Sequence, residues 1–140
     1  MQVGETMKKL NVTAPIEITV EASVNPSESS EKVIAAIRNV VDRCSPEFKH
    51  TSRVIAKCFG NESLGTIYEQ IRSRSAMGVL RRLLTNNRIK ETTWFLLNKQ
   101  AATAGIVVAI EDEKESPLGP IRITIVCEEL DLLVDWLVPV

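Results

Sequence analysis

Six cations and no carboxylate lie in the segment from 71 to 90, IRSRSAMGVLRRLLTNNRIK, although the whole chain has a net charge of −1. The planar guanidinium of arginine donates paired hydrogen bonds that suit phosphate, so a row of arginines could follow the backbone of an RNA. The arginines at 74, 81 and 88 would lie nearly in line on one continuous helix. The predicted nucleic-acid-binding residues are these six cations and one lysine further along: Arg72, Arg74, Arg81, Arg82, Arg88, Lys90 and Lys99.

The same segment has a second interpretation, in which its cations pair with carboxylates. Residues 72–109 hold seven cations and one carboxylate, a net charge of +6, whereas residues 110–140 hold eight carboxylates and two cations, a net charge of −6. The basic part could therefore pair with the acidic part, within one subunit or across a dimer. Arginine is also a good helix former, so its presence beside Leu80, Leu83 and Leu84 needs no ligand. Both interpretations stay open on the sequence alone.

Few residues indicate catalysis or a metal site. Cys44, Cys58 and Cys127 are widely spaced and form no CxxC pair, so we predict three buried thiols with neither metal nor disulfide. His50 is the only histidine and lies in a polar stretch, and the serine motif G-x-S-x-G is absent. The acidic run EDEKE lacks the spacing of a calcium-binding loop. We therefore expect no enzymatic activity, no cofactor and no small-molecule substrate.

The aromatic residues bear on the kind of RNA that could be bound. Most of them stand among aliphatic residues and are predicted to lie in the core. Proteins that bind single strands stack the bases on exposed aromatic rings, so RNA bound here would be structured and contacted through its backbone. The aromatic residues are Phe48, Phe59, Tyr68, Trp94, Phe95 and Trp136.

Hydrophobic periodicity predicts the elements that position these side chains. Apolar residues alternate over 16–24 and 121–126, as in strands with one buried face. Apolar runs at 53–59 and 106–110 are predicted to complete the same sheet. The residues Asn25, Pro26 and Glu28 indicate the start of a helix that ends near Arg43. Residues 61–87 and 88–104 are also predicted to be helical, with residues 98–100 (Asn-Lys-Gln) serving a helix end or forming a polar site.

The order of these elements predicts the fold class. Only a loop joins 106–110 to 121–126, so these two strands should pair in antiparallel fashion. We predict one α+β domain over residues 1–140, with a mostly antiparallel four-stranded sheet, helices packed on one face, and residues 1–14 as a flexible or edge segment. No apolar run is long enough to span a bilayer, and the amino end does not suit a secretory signal. We therefore expect a cytoplasmic protein.

Four short motifs carry a resemblance to a known family. ASVNPSE, LNKQAATAG, SPLGPI and DWLVP occur in this order. Together they resemble the archaeal protein family UPF0201, over almost the whole chain from residue 16 to residue 139. The resemblance implies an α+β fold similar to the large-subunit ribosomal protein L-five, a homodimer and a link to RNA. It supplies no catalytic residues.

These observations favour a non-catalytic domain that binds another macromolecule. The first hypothesis is that structured RNA binds to a basic helical surface made by the cations of residues 72–99. The alternative is a homodimeric protein-interaction or assembly module without RNA-binding function.

Overall fold

The computed structural model describes residues 7–49 and 52–140. Within these residues the strands are β1 (Ile16–Ser23), β2 (Glu47–Lys49), β3 (Arg53–Phe59), β4 (Thr92–Leu97), β5 (Ala109–Ile110) and β6 (Ile121–Cys127). They form one sheet in the order β2-β3-β1-β6-β4-β5, and every neighbouring pair is antiparallel. The helices are α1 (Ser30–Val40), α2 (Gly65–Ser73), α3 (Met77–Asn86), α4 (Lys99–Thr103) and α5 (Leu130–Leu137).

Alternation along the strands separates a buried face from an open one. On β1, Ile18 and Val20 are fully buried, whereas Thr19 between them points the other way. The strands β3 and β6 repeat this pattern. The inward side chains pack with the buried residues of the helices in a single core. The sequence prediction of an α+β fold with an antiparallel sheet is therefore confirmed.

The described residues have a six-stranded sheet instead of the predicted four-stranded one. The segment 88–104 was predicted to be helical, but it contains β4, and β4 separates β5 from β6. The predicted pairing of 106–110 with 121–126 is therefore wrong. Leu96 and Leu97 are both buried although they point to opposite faces. A strand that is covered on both faces loses the alternation that identifies strands in a sequence.

The start of α1 also differs from the prediction. Ser29, not Asn25, is the N-cap, and its side chain accepts a hydrogen bond from the amide N–H of Glu31. Asn25 instead lies in the preceding turn, where its amide N–H and its side chain both donate to the Glu28 carboxylate. The helix ends at Val40, three residues before the predicted end.

Residues 7–14 run without regular structure across α2 and α5. The amide of Lys8 donates to the Tyr68 hydroxyl, and the indole N–H of Trp136 donates to the Lys8 carbonyl. Further along, the amides of Thr13 and Ala14 donate to Glu129, and these hydrogen bonds lower the pKa of that carboxyl. Residues 1–6 and His50 lie outside the described residues. No helix in the described ranges has both the length and the apolar character to cross a membrane.

A disulfide joins Cys44 to Cys58, which corrects the prediction of three reduced thiols. The two Cα atoms are 5.0 Å apart, a separation that disulfide geometry allows. The bond ties the loop after α1 to the end of β3. Sequence spacing does not reveal this proximity, because it arises only when α1 packs back against the sheet. Cys127 is free and buried.

This disulfide predicts a measurable contribution to stability. Replacing Cys44 by serine removes a cross-link between residues 14 apart in sequence. We expect the free energy of unfolding to fall by about 3 kcal/mol in urea denaturation without reductant. Reductant should bring the wild type close to the variant and should leave the variant unchanged. Equal stability of the oxidised wild type and the variant would contradict the cross-link.

Candidate nucleic-acid interface

The sheet has one face that the helices leave uncovered within the described part of the chain. Because the burial pattern alternates on β1, β3 and β6, the polar positions of these strands and the matching positions of β4 share this face. We name it the open face. Its side chains are Glu17, Thr19, Glu21, Arg53, Ile55, Lys57, Phe59, Thr92, Trp94, Arg122, Thr124 and Val126.

The strand register places a cation and a tryptophan at opposite ends of one row on the open face. Lys57, Thr19, Thr124 and Trp94 are successive partners across β3, β1, β6 and β4. The guanidinium carbon of Arg122 lies 4.2 Å from the centroid of the Trp94 ring, a cation–π contact. A second row carries Phe59, Glu17, Val126 and Thr92. The open face therefore combines aromatic rings, hydroxyl groups, cations and two carboxylates, of which Glu21 pairs with Arg53.

The exposure of the aromatic residues corrects the prediction that most of them are core. Tyr68, Phe95 and Trp136 are buried, but Phe59 is 68% exposed and Phe48 is 42% exposed. Trp94 is half-buried on the open face. The sequence did contain a signal for Phe59, because Phe59 itself occupies one of the exposed positions of the alternation in β3. Exposed rings are therefore present on the sheet and could stack with bases, contrary to the prediction.

An acidic segment borders the open face at the β5 end. Residues 111–115 include a 3-10 turn that Asp112 and Glu115 close with a capping box. Glu111, Asp112, Glu113 and Glu115 line a depression of about 560 Å³ together with Trp94 and Leu96. Leu96 points to the same side as Trp94 but is only 3% exposed. This end of the sheet is thus covered and negatively charged, and the opposite end, at Phe59, is open.

The cations of the basic segment 71–90 mostly contact α5 or its surroundings. Arg72 donates to the carbonyls of Trp136 and Leu137 and lies 3.3 Å from the centroid of the Tyr68 ring. Partial burial lowers the pKa of Arg72. Arg81 donates to the Val138 carbonyl. These two arginines satisfy carbonyl groups at the end of a helix, which have no partner within the helix.

Three ion pairs join this basic segment to the acidic carboxyl-terminal part of the chain. Arg81 lies 3.1 Å from Asp135 and Arg82 lies 3.3 Å from Glu111. Arg88 pairs with Asp131. Among the described residues, Arg74 and Lys90 are the cations of this segment that are exposed and have neither a carboxylate partner nor a side-chain hydrogen bond. The structure therefore does not bring the predicted cations together as one uncommitted phosphate surface.

Lys99 differs most from its predicted role, because it is 2% exposed. Its Nζ lies 2.9 Å from the Glu28 carboxylate and 2.9 Å from the Ser23 carbonyl. Burial alone would raise the pKa of Glu28, but hydrogen bonds from Asn25 and Lys99 outweigh that effect and the pKa lies below its ordinary value. Lys99 is thus half of an internal ion pair and cannot reach a phosphate on the surface.

Three of the four family motifs meet around this ion pair. The side chain of Asn25 donates to the Leu118 carbonyl. The amide of Lys99 donates to the Ser116 hydroxyl, which donates to the Gly119 carbonyl. Asn98 caps α4 at its amino end by accepting from the Ala101 amide. Residues 98–100 therefore begin a helix instead of ending one, and the motifs hold the ends of β1 and β4 to the start of β6.

The fold and this interface define an α+β domain with one helical layer and an open sheet face. A family model described as RNA binding matches residues 17–127. A UPF0201 protein of Sulfurisphaera tokodaii is 38% identical over 126 residues, which cover 88% of this chain and 87% of the relative. The corresponding identity to a UPF0201 protein of Thermococcus kodakarensis is 36% over 126 residues, 88% of this chain and 89% of the relative.

Solved structures agree with these relatives. The crystal structure of a UPF0201 protein from Methanococcus jannaschii has a TM-score of 0.74 at 26% identity, covering 89% of this chain and 93% of that one. The chain belongs to the UPF0201 family and to the family described as RNA binding. The resemblance expected from the sequence motifs is confirmed.

The buried ion pair predicts a large effect on stability. Lys99→Met keeps an unbranched side chain but leaves the Glu28 carboxylate without its ionic partner. We expect the free energy of unfolding at neutral pH to fall by about 3–5 kcal/mol. Lys32→Met is the matched control, because Lys32 is exposed on α1 and lines the same surface depression as Glu28 and Lys99; it should change stability by no more than about 0.5 kcal/mol. Similar values for the two variants in urea denaturation would contradict the role of the pair.

Glu28 also predicts a dependence of stability on pH. Its pKa is lower in the folded chain than in the unfolded chain, so it stabilises the fold above its unfolded pKa and this contribution disappears as the pH falls through the folded pKa. Glu28→Gln removes the titrating group. The unfolding free energy of this variant should therefore decline less steeply than that of the wild type between about pH 5 and about pH 3. Equal slopes would show that Glu28 is not a source of the acid sensitivity.

Proposed function

We propose that this protein is a non-catalytic RNA-binding domain that contacts RNA with the open face of its sheet. The observation that carries the proposal is that this uncovered face presents Trp94, Phe59, Arg122 and Lys57 together. The family described as RNA binding supports it, since its match over residues 17–127 includes the whole open face. Cytoplasmic location and likeness to ribosomal protein L-five stay predictions.

The RNA contact on the open face differs from the basic helical surface that the sequence suggested. Lys99 is buried, and Arg72 and Arg81 hold the end of α5. Lys57 and Arg122 have no carboxylate partner within the described ranges. Lys90 lies in the turn before β4, close in sequence to Thr92 of the open face. Phosphate contacts are therefore assigned to Lys57, Lys90 and Arg122.

A homodimeric assembly module is the second candidate, because Phe59, Val126 and Ile89 are exposed apolar side chains. A stable dimer usually buries a more apolar surface. On the open face, Glu17, Thr19 and Thr124 alternate with the apolar groups, so a second copy would have to satisfy these polar groups as well. The mixture of rings, hydroxyls and cations suits RNA better.

Salt dependence tests the proposal. If these three cations each neutralise one phosphate, log affinity should fall with log salt with a slope of about −2 on single strands and about −2.7 on a duplex. The double variant Lys57→Ala/Lys90→Ala should reduce the size of this slope by about 1.5 and weaken binding to all sequences alike. The natural probe is a stem-loop RNA titrated at low and moderate salt.

Two double variants serve as controls in this titration. Lys32→Ala/Arg38→Ala removes two exposed cations of α1, on the helical side of the sheet, and should leave the slope unchanged. Arg74→Ala/Arg82→Ala tests the helical surface, and a larger effect there would return the contact to the basic segment. Absence of RNA binding even at low salt, with a dimer in solution, would favour the assembly module.

A further inference from the structure

We infer that the open face binds unpaired bases of RNA, with the stacked Arg122–Trp94 pair and the Phe59 ring as two separate stacking platforms. This inference rests on the proposed RNA-binding function. It adds to that function the part of the RNA that the face contacts.

The first platform is the Arg122 guanidinium above the Trp94 ring. The 4.2 Å separation between the guanidinium carbon and the ring centroid places the two groups in contact. Bases stack on guanidinium planes as well as on aromatic rings. The outer side of Arg122 can therefore receive a base while the tryptophan holds the guanidinium in place. Glu21 is the register partner of Arg122 but pairs with Arg53. No carboxylate in the described ranges forms an ion pair with Arg122, so its N–H groups stay available to a phosphate or a base edge.

The second platform is Phe59, which is 68% exposed at the end of β3. It lies three strands from Trp94 and one row of side chains away. With strand spacings of about 4.8 Å and about 3.3 Å per residue, the two positions are roughly 16 Å apart. A single strand of several nucleotides could reach from one platform to the other.

The side chains between the platforms suit a nucleic-acid strand. Thr19 and Thr124 present hydroxyl groups in the row that joins Lys57 to Trp94. Hydroxyls donate and accept hydrogen bonds, so they can contact base edges or the ribose 2′-hydroxyl. Lys57 supplies a positive charge for a phosphate beside Phe59.

A base-paired RNA would not use these platforms. In a duplex the bases stack on one another, and an A-form helix presents mainly its phosphates and 2′-hydroxyls to a protein. The rings at Trp94 and Phe59 would then gain no stacking partner. Their exposure is therefore better explained by unpaired bases in a loop, a bulge or a free strand.

The test compares unpaired and paired RNA on matched variants. The single-stranded probe is an oligouridylate of roughly ten nucleotides, and the paired probe is a blunt RNA duplex of roughly 16 base pairs. Trp94→Leu and Phe59→Leu keep apolar side chains on the surface. Phe48→Leu is the control, because Phe48 is also exposed but its register partner is Val54, which belongs to the helical side.

We expect each open-face variant to weaken binding of the oligouridylate by about 5- to 150-fold, the range of one lost base stack. Binding of the duplex should change by no more than about twofold, and Phe48→Leu should resemble the wild type with both probes. The oligouridylate should also quench the fluorescence of Trp94, and this quenching should be absent in Trp94→Leu. Circular dichroism spectra should show that all variants are folded.

Three results would contradict these expectations, and each has a different consequence. If the wild type binds the oligouridylate and both open-face variants bind it like Phe48→Leu, the stacking inference is wrong while the RNA-binding proposal stands. If neither RNA binds to the wild type at low salt, the proposed function itself fails. If the open-face variants convert a dimer into a monomer and no RNA binds, a second copy of the chain occupies this face.

Discussion

The buried ion pair between Lys99 and Glu28 is the interaction on which the geometry of the sheet depends. It joins the start of α4 to the turn after β1, and hydrogen bonds from Asn25 and to Ser116 extend the contact to the turn before β6. Removing one partner from a buried pair is strongly destabilising, because it leaves a charge without compensation. The ends of β1 and β4 and the start of β6 are thus held together by this cluster, which keeps the three strands in one register. That register brings Thr19, Thr124 and Trp94 into one row on the open face.

The separation of charge along the sequence has a structural explanation. Arg81, Arg82 and Arg88 each pair with a carboxylate from the acidic carboxyl-terminal part, so opposite charges that are far apart in sequence meet in space. Each of these partly exposed pairs contributes little to stability. The hydrogen bonds from Arg72 and Arg81 to carbonyls at the carboxyl end of α5 matter more, because they satisfy groups that the helix leaves unpaired. A basic segment is therefore weak evidence for nucleic-acid binding until its partners are known.

The sequence predicted those parts of the fold in which burial leaves a regular pattern. Strands β1, β3 and β6 have one buried and one open face, and all three were predicted within a residue or two. Strand β4 was missed because Leu96 and Leu97 are buried on opposite sides. The Cys44–Cys58 disulfide and the Lys99–Glu28 pair depend on packing between distant segments, for which one sequence carries no local signal. The candidate site was missed because most aromatic residues were assigned to the core, although Phe59 occupies an exposed position in the alternation of β3.

The acidic segment 111–115 restricts the direction in which a bound RNA strand can cross the open face. Its carboxylates lie beside Trp94 and Leu96 at the β5 end, where they would repel the phosphates of a strand that continued past Arg122 toward β5, within a Debye length of about 8 Å. At the other end, Glu17 is the register partner of Phe59, but Lys57 lies two residues before Phe59 on β3 and forms no ion pair among the described residues. An anionic strand that stacks a base at Arg122 is therefore favoured to continue across Thr124 and Thr19 toward Lys57. The acidic residues that cover Leu96 thus restrict the path of an RNA strand on the sheet. Base stacking alone would not determine that path.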